Sequence, residues 1–200
     1  RNKTINESIY YNVDQRHEAI KNDCQIQFQY FQWNVDKEMV LRKNGAFYKV
    51  SPFALTWDDE NYYLIAFDGE TNKMKHYRVD KILRISLCGE KREGTDLFSS
   101  FNLAEYSKKV FGMFGGTEQG VKLEVENRLA GVIIDRFGQD VMIQKCNETH
   151  CLVYVHVAVS PQFIAWVISL GNGIKIISPK TVVQMMRDRI QELQTQYHIS

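Results

Sequence analysis

Apolar and polar residues alternate strictly in Gln25-Ile26-Gln27-Phe28-Gln29-Tyr30, the pattern of a strand with one buried face. The same period predicts strands at 39–42, 46–51, 53–57, 62–67 and 74–79. Turn-forming runs separate them: Lys43-Asn44-Gly45, Asp58-Asp59-Glu60-Asn61 and Asp68-Gly69-Glu70-Thr71-Asn72. Ahead of them, residues 1–24 form an N-terminal segment. Val13, Arg16, His17 and Ile20 mark a short helix there over 12–21, with Asn12 or Asp14 near its cap. Short antiparallel strands behind one helix predict a small barrel over 25–82.

Residues 83–120 read as a connector. They hold the polar run Gly89-Glu90-Lys91-Arg92-Glu93-Gly94 and a helix over 102–110, ended by Gly112, Gly115 and Gly116. From 121 onward the pattern becomes β-α-β-β-α-β-α. A strand at 121–126 leads through Asn127 as cap to a helix at 128–137, stopped by Gly138; strands at 140–145 and 151–159 form a hairpin. Ser160-Pro161 then places a cap and a proline at the start of a second helix, which Gly171 ends. A strand at 173–177 and a helix opened by Ser178-Pro179 complete residues 121–200, and the split βαβ order predicts a ferredoxin-like fold with an extra C-terminal helix. The fold class is therefore α+β.

Two hundred residues suit two small domains. Composition changes the picture mainly by exclusion. Lys+Arg 25 against Asp+Glu 24 leaves a net charge of +1, so bulk positive charge cannot drive nucleic-acid binding and a local patch must do so if anything does. Cys24, Cys88, Cys146 and Cys151 form no CxxC pair, which fits a reducing, cytoplasmic setting. No apolar run reaches the roughly 20 residues that span a bilayer, so no membrane partner is expected. Cys146, His150 and Cys151 supply three candidate ligands at one hairpin where a closed zinc site wants four, so no metal is expected. GxSxG, HExxH and GxxxxGK[ST] are all lacking, and no enzymatic activity or cofactor is implied.

Tyr62-Tyr63-Leu64, followed by Tyr77-Arg78-Val79-Asp80-Lys81-Ile82, resembles the signature of the WYL-domain family of bacterial transcriptional regulators. Tyr62 stands in the place of the family's tryptophan, and Lys75 replaces the first arginine of the second motif. The resemblance extends to Ile26-x-Phe28-x-Tyr30, Val50-Ser51-Pro52-x-x-Leu55, Phe111-Gly112-Met113-Phe114-Gly115-Gly116, Ser169-Leu170-Gly171 and Ser178-Pro179, and covers roughly residues 15–197. It implies an Sm-like (SH3-like) barrel carrying WYL, then a ferredoxin-like C-terminal extension. It also implies an N-terminal winged helix-turn-helix, for which nothing before Tyr10 offers a pattern. With the start at Arg1, the expectation is the sensing and oligomerising portion of a longer chain that contacts DNA through that domain.

Tyr30, Lys49, Ser51, Tyr63, Lys75, His76 and Arg78 are the candidate ligand-binding residues. They combine cations and hydroxyls with aromatic faces, a set that suits an anionic ligand with a stackable ring, such as a nucleotide or single-stranded nucleic acid. Arg78 either grips a phosphate or pairs with Asp80, and Tyr63 either stacks or packs. Strand alternation puts Lys75 and Tyr77 on one face and His76 and Arg78 on the other. In the last helix Val183, Met186, Ile190, Leu193 and Tyr197 form one apolar stripe, which packs on the chain's own sheet or pairs with a second subunit in a homodimer. Two rival readings stand beside the sensor: a direct nucleic-acid-binding module and a protein-interaction scaffold.

Overall fold

A computed structural model of the chain describes residues 18–58, 60–98, 103–113 and 115–198. The chain divides into two compact units, residues 1–103 and 104–200. Of the expected N-terminal helix, residues 18–21 are helical, and the rest, with its caps, lies outside the described residues.

The first unit is a curled antiparallel sheet. Its strands are β1 (Cys24–Trp33), β2 (Met39–Leu41), β3 (Tyr48–Asp58), β4 (Asn61–Asp68), β5 (Lys73–Arg78) and β6 (Ile82–Lys91). The order β2-β1-β3-β4-β5 is extended by β6, which also pairs with β1. A 3-10 turn, Val79–Lys81, joins β5 to β6. The inward residues of the period-two pattern, including Ile26, Phe28, Tyr30, Val50, Leu64, Tyr77 and Ile82, make one core. Phe28 is fully buried, and a side chain of that size stabilises by about 1.5–3 kcal/mol on burial.

Two expectations are corrected here. The strands predicted at 46–51 and 53–57 are one strand, β3, and Pro52 sits inside it opposite Ala66, where the register shifts before Ala54. The bulge absorbs the missing N–H that normally keeps proline out of strand interiors. The segment expected as a connector from residue 83 is strand as far as Lys91, paired with β1 through two register shifts. Past β6, Ser51 Oγ accepts the Glu93 N–H at 2.8 Å, and Gly94, at φ +71°, lies so close to Phe67 that a Cβ would stand 2.7 Å from its ring.

Helix α1 (Thr95–Phe98) belongs to the first unit, and α2 (Leu103–Lys109) runs into the second. The second unit continues with β7 (Thr117–Glu126), α3 (Ala130–Phe137), β8 (Met142–Lys145), β9 (His150–Val159), α4 (Pro161–Ser169), β10 (Ile174–Ser178) and α5 (Lys180–Gln196). Its sheet order is β10-β7-β9-β8, antiparallel throughout. Val125, Val153 and Val157 meet Ile133, Phe163 and Val182 in its core. Ser160 caps α4 by accepting the Phe163 N–H, with Pro161 at the first helical position. Asn127 does not cap α3. It opens a 3-10 turn, Asn127–Leu129, and its side chain donates to the Asn147 carbonyl at 3.3 Å.

Candidate functional site

Four aromatic residues, Phe28, Tyr30, Tyr48 and Tyr77, lie in the core of the first unit. Phe28 stacks on Tyr48 at 5.7 Å, and Tyr30 and Tyr77 meet edge to face at 5.6 Å. Tyr30 is 9% exposed, so its ring is a packing surface first. Its hydroxyl oxygen accepts the main-chain N–H of Arg78 at 3.0 Å. Burial pushes the Tyr30 phenol above its usual range, against the lowering effect of that hydrogen bond.

Register decides which candidates share a face. On β4 and β5, Tyr63 stands opposite Arg78 and Ile65 opposite His76, while Leu64 faces Tyr77 and Ala66 faces Lys75. Tyr63, His76 and Arg78 therefore lie on one side of the sheet and Lys75 on the other, as alternation requires. Tyr63 is half-buried. Lys49 is opposite Gln27 on β3, and Ser51 is opposite Phe67.

Each of the three candidate cations faces a carboxylate. Arg78 holds Asp80 with two prongs, Nε to Oδ1 at 3.0 Å and Nη2 to Oδ2 at 2.8 Å. This bond raises the already high Arg78 value. Lys75 bonds Asp68, whose carboxylate also accepts the Glu70 N–H at 3.0 Å and the Thr71 hydroxyl at 3.1 Å. Asp68 is 3% exposed. Burial pushes its carboxyl up, but Lys75, Thr71 and the Glu70 amide outweigh that and hold it below the usual range. Lys49 pairs with Glu90 at 2.7 Å on the surface. Ser51, 2% exposed, uses its hydroxyl to accept the Glu93 N–H.

The sequence pattern did not single out Gln29, Arg42, Lys43 or Arg84. Lys43 Nζ lies 4.5 Å from the Tyr48 ring centroid and pairs with Glu70 at 3.1 Å. The Arg42 guanidinium lies 6.0 Å from the Tyr30 centroid. Gln29 bonds both Arg84 and the Gly45 carbonyl. Arg42 and Lys43 stand on a turn and Arg84 on a bulge, where no periodicity marks them, and the alternation of β1 marks Gln29 only as a polar position. Among the described residues no cluster of three or more His, Cys, Asp or Glu side chains could hold a metal ion. At that hairpin Cys146 is exposed and Cys151 buried.

Two family models match the chain: the WYL domain over residues 12–87 and the WCX domain over 118–194. The chain thus carries a WYL domain followed by a WCX domain. Among solved structures, it is similar to proteasome accessory factor B/C of Arthrobacter aurescens, at 18% identity and TM-score 0.38 over 94% of this chain and 27% of that one. It is also similar to a CRISPR Cas-related protein, at 16% identity and TM-score 0.53 over 95% of this chain and 53% of that one. The second likeness concerns the fold alone. The chain thus spans about a quarter and about half of the lengths of these two proteins. A search of curated protein sequences returned no match. Among the described residues no helix is long and apolar enough to cross a membrane.

Proposed function

We propose that this WYL–WCX chain is the ligand-sensing and oligomerising region of a transcriptional regulator, and that its first unit binds an anionic, nucleotide-like or single-stranded nucleic-acid effector without catalysing a reaction. The observation that carries this reading is the Tyr30–Arg78 junction. An aromatic core residue is there hydrogen-bonded to the backbone of an arginine whose side chain shares the outer face with Tyr63 and His76. Ligand binding at this junction pulls on β5 and the following 3-10 turn, and so biases the rest of the regulator through differential affinity.

The same reading makes the first unit an Sm-like (SH3-like) barrel. The strand order β5-β4-β3-β1-β6 with a 3-10 turn before the last strand supports it. It makes the second unit ferredoxin-like, supported by the order β10-β7-β9-β8 with α3 and α4 as the two crossovers. It also makes a second copy of the chain the oligomeric partner. Along α5, Val183 and Met186 pack on the core, whereas Ile190 is 46% exposed and Tyr197, just past the helix, 67%. Beside Ile190 runs an apolar groove of about 490 Å³, lined by Val167, Ile174, Ile176 and Met186 among others. DNA contact belongs to the expected winged helix-turn-helix of the complete regulator.

Calorimetric titration with short single-stranded oligonucleotides and cyclic nucleotides, comparing wild type with Arg78→Ala, tests the sensor. Weaker binding by the variant supports it. Unchanged affinity removes Arg78 from the site, and no binding by any of these anions defeats the ligand class. A steep salt dependence with no change in oligomeric state would favour the direct nucleic-acid module instead.

A further inference from the structure

Lys49, Lys75 and Arg78 each have a carboxylate partner. Arg42 and Arg84 do not: among the described residues neither forms an ion pair, and both are exposed. Arg84 itself stands on backbone that ordinary side chains avoid, and Arg42 directly precedes a run of it. Arg42 opens the single turn Arg42–Gly45, in which Lys43 and Asn44 (φ +50° each) and Gly45 (φ +83°) are left-handed in succession. Arg84, at φ +53°, sits in β6 where Gln27 pairs with Ser86 and Gln29 with Leu83, and it is the extra residue of that bulge.

One side chain ties these two irregularities together. Gln29 is 6% exposed. Its Oε1 accepts an Arg84 N–H at 2.7 Å, and its Nε2 donates to the Gly45 carbonyl. A buried amide thus fixes the turn that carries Arg42 to the bulge that carries Arg84. Arg42 in turn leans over Tyr30, whose hydroxyl reaches Arg78. Strained backbone held in place by surrounding structure is characteristic of sites where function outweighs local stability. Gln29 uses one of the five N–H groups of the Arg84 guanidinium, and the remaining donors of a planar, permanently charged fork match phosphate oxygens.

We propose that Arg42 and Arg84, fixed together through Gln29, are the phosphate-binding residues of the barrel's effector site. Asp80, Asp68 and Glu90 keep the more obvious cations occupied. This inference rests on the reading of the barrel as an anion sensor and names the chemical group it grips.

The test is calorimetric titration of the chain with two probes, inorganic pyrophosphate and a 5′-phosphorylated thymidine dinucleotide. Arg42→Gln and Arg84→Gln should each weaken binding by about tenfold, the range of a lost charge-assisted hydrogen bond. Arg84→Lys should also weaken it, because an ammonium cannot reproduce the fork. For the dinucleotide, the slope of log affinity against log salt should flatten by about 0.7 for each phosphate contact removed. Lys91→Gln should bind as wild type does. Equal losses with both probes identify free phosphate groups as the ligand, and losses with the dinucleotide alone identify a nucleotide ester. The Arg42 side chain makes no hydrogen bond among the described residues, so Arg42→Gln keeps the test valid if Arg84→Gln does not fold. Wild-type affinity in the Arg42→Gln and Arg84→Gln variants, alongside weakened binding in Arg78→Ala, overturns this inference and leaves the sensor standing. Binding of neither probe to the wild type overturns both.

Discussion

The hydroxyl of Tyr30 on β1 accepts the main-chain N–H of Arg78 at the end of β5, across 48 residues of chain. Tyr30→Phe keeps the ring packing and removes the acceptor, leaving that N–H without its partner. The expected loss is about 1–3 kcal/mol in urea denaturation. A loss below half a kcal/mol would show that solvent replaces the phenol at no penalty.

Burial raises the phenols of Tyr30 and Tyr77, and it pushes that of Tyr106 up to about 12. The folded chain therefore keeps protons that the unfolded chain releases near pH 10. Folding stability is fully present below pH 10 and falls as the pH rises through the folded values. Denaturation midpoints measured between pH 8 and 11.5 should decline above 10. A flat profile would contradict the burial of these rings.

For Asp68 the sign is opposite. Its carboxyl is held low, so its contribution is present above the unfolded value of about 4 and is lost as the pH falls through the lower folded value. Lys75→Met removes the strongest stabiliser of the ionised form and leaves the carboxylate buried. The acid-unfolding midpoint, followed by circular dichroism, should move toward neutral pH, whereas Asp68→Asn should weaken this acid limb. An unchanged midpoint in Lys75→Met would mean that the pair contributes nothing to folding.

Asp80 holds Arg78 as an anionic ligand would. Asp80→Asn preserves the shape and discards the charge, and affinity for pyrophosphate should rise several-fold if Arg78 borders the effector site. Equal or weaker binding in calorimetry would separate Arg78 from that site.

The Tyr77 hydroxyl is buried and has no hydrogen-bond partner among the described residues. Such a group costs about 1–3 kcal/mol in protein interiors. Tyr77→Phe should leave thermal stability unchanged or improve it by about 1 kcal/mol. A fall in melting temperature would reveal a partner for the hydroxyl in solution.

Much of this architecture is legible in the sequence, because period-two alternation and capping residues are local signals. Ser160-Pro161 and Gly138 act as their patterns imply, and 25–30 forms the expected strand, although Gln25 and Gln29 are buried rather than turned to solvent. What escaped was long-range or irregular. Pro52 looked like a break because proline rarely lies inside a strand. In Ile82-Leu83-Arg84-Ile85 one bulged residue reverses the alternation, so β6 resembled a loop. At the candidate site, Asp80 is two residues from Arg78 and its pairing could be anticipated. Asp68 and Glu90 reach Lys75 and Lys49 only through register, across separations of 7 and 41 residues. The Arg84–Gln29–Gly45 link is invisible to any local pattern for the same reason.

Strand β1 is the shared member of the first sheet, bonded to β3 on one side and to β6 on the other. During synthesis the partner on the first side emerges well before Lys91 does. In that interval the nascent chain carries an open, largely apolar strand edge of the kind that recruits other chains. Cloned fragments that stop short of Lys91 would freeze the protein at this stage, and they are expected in the insoluble fraction.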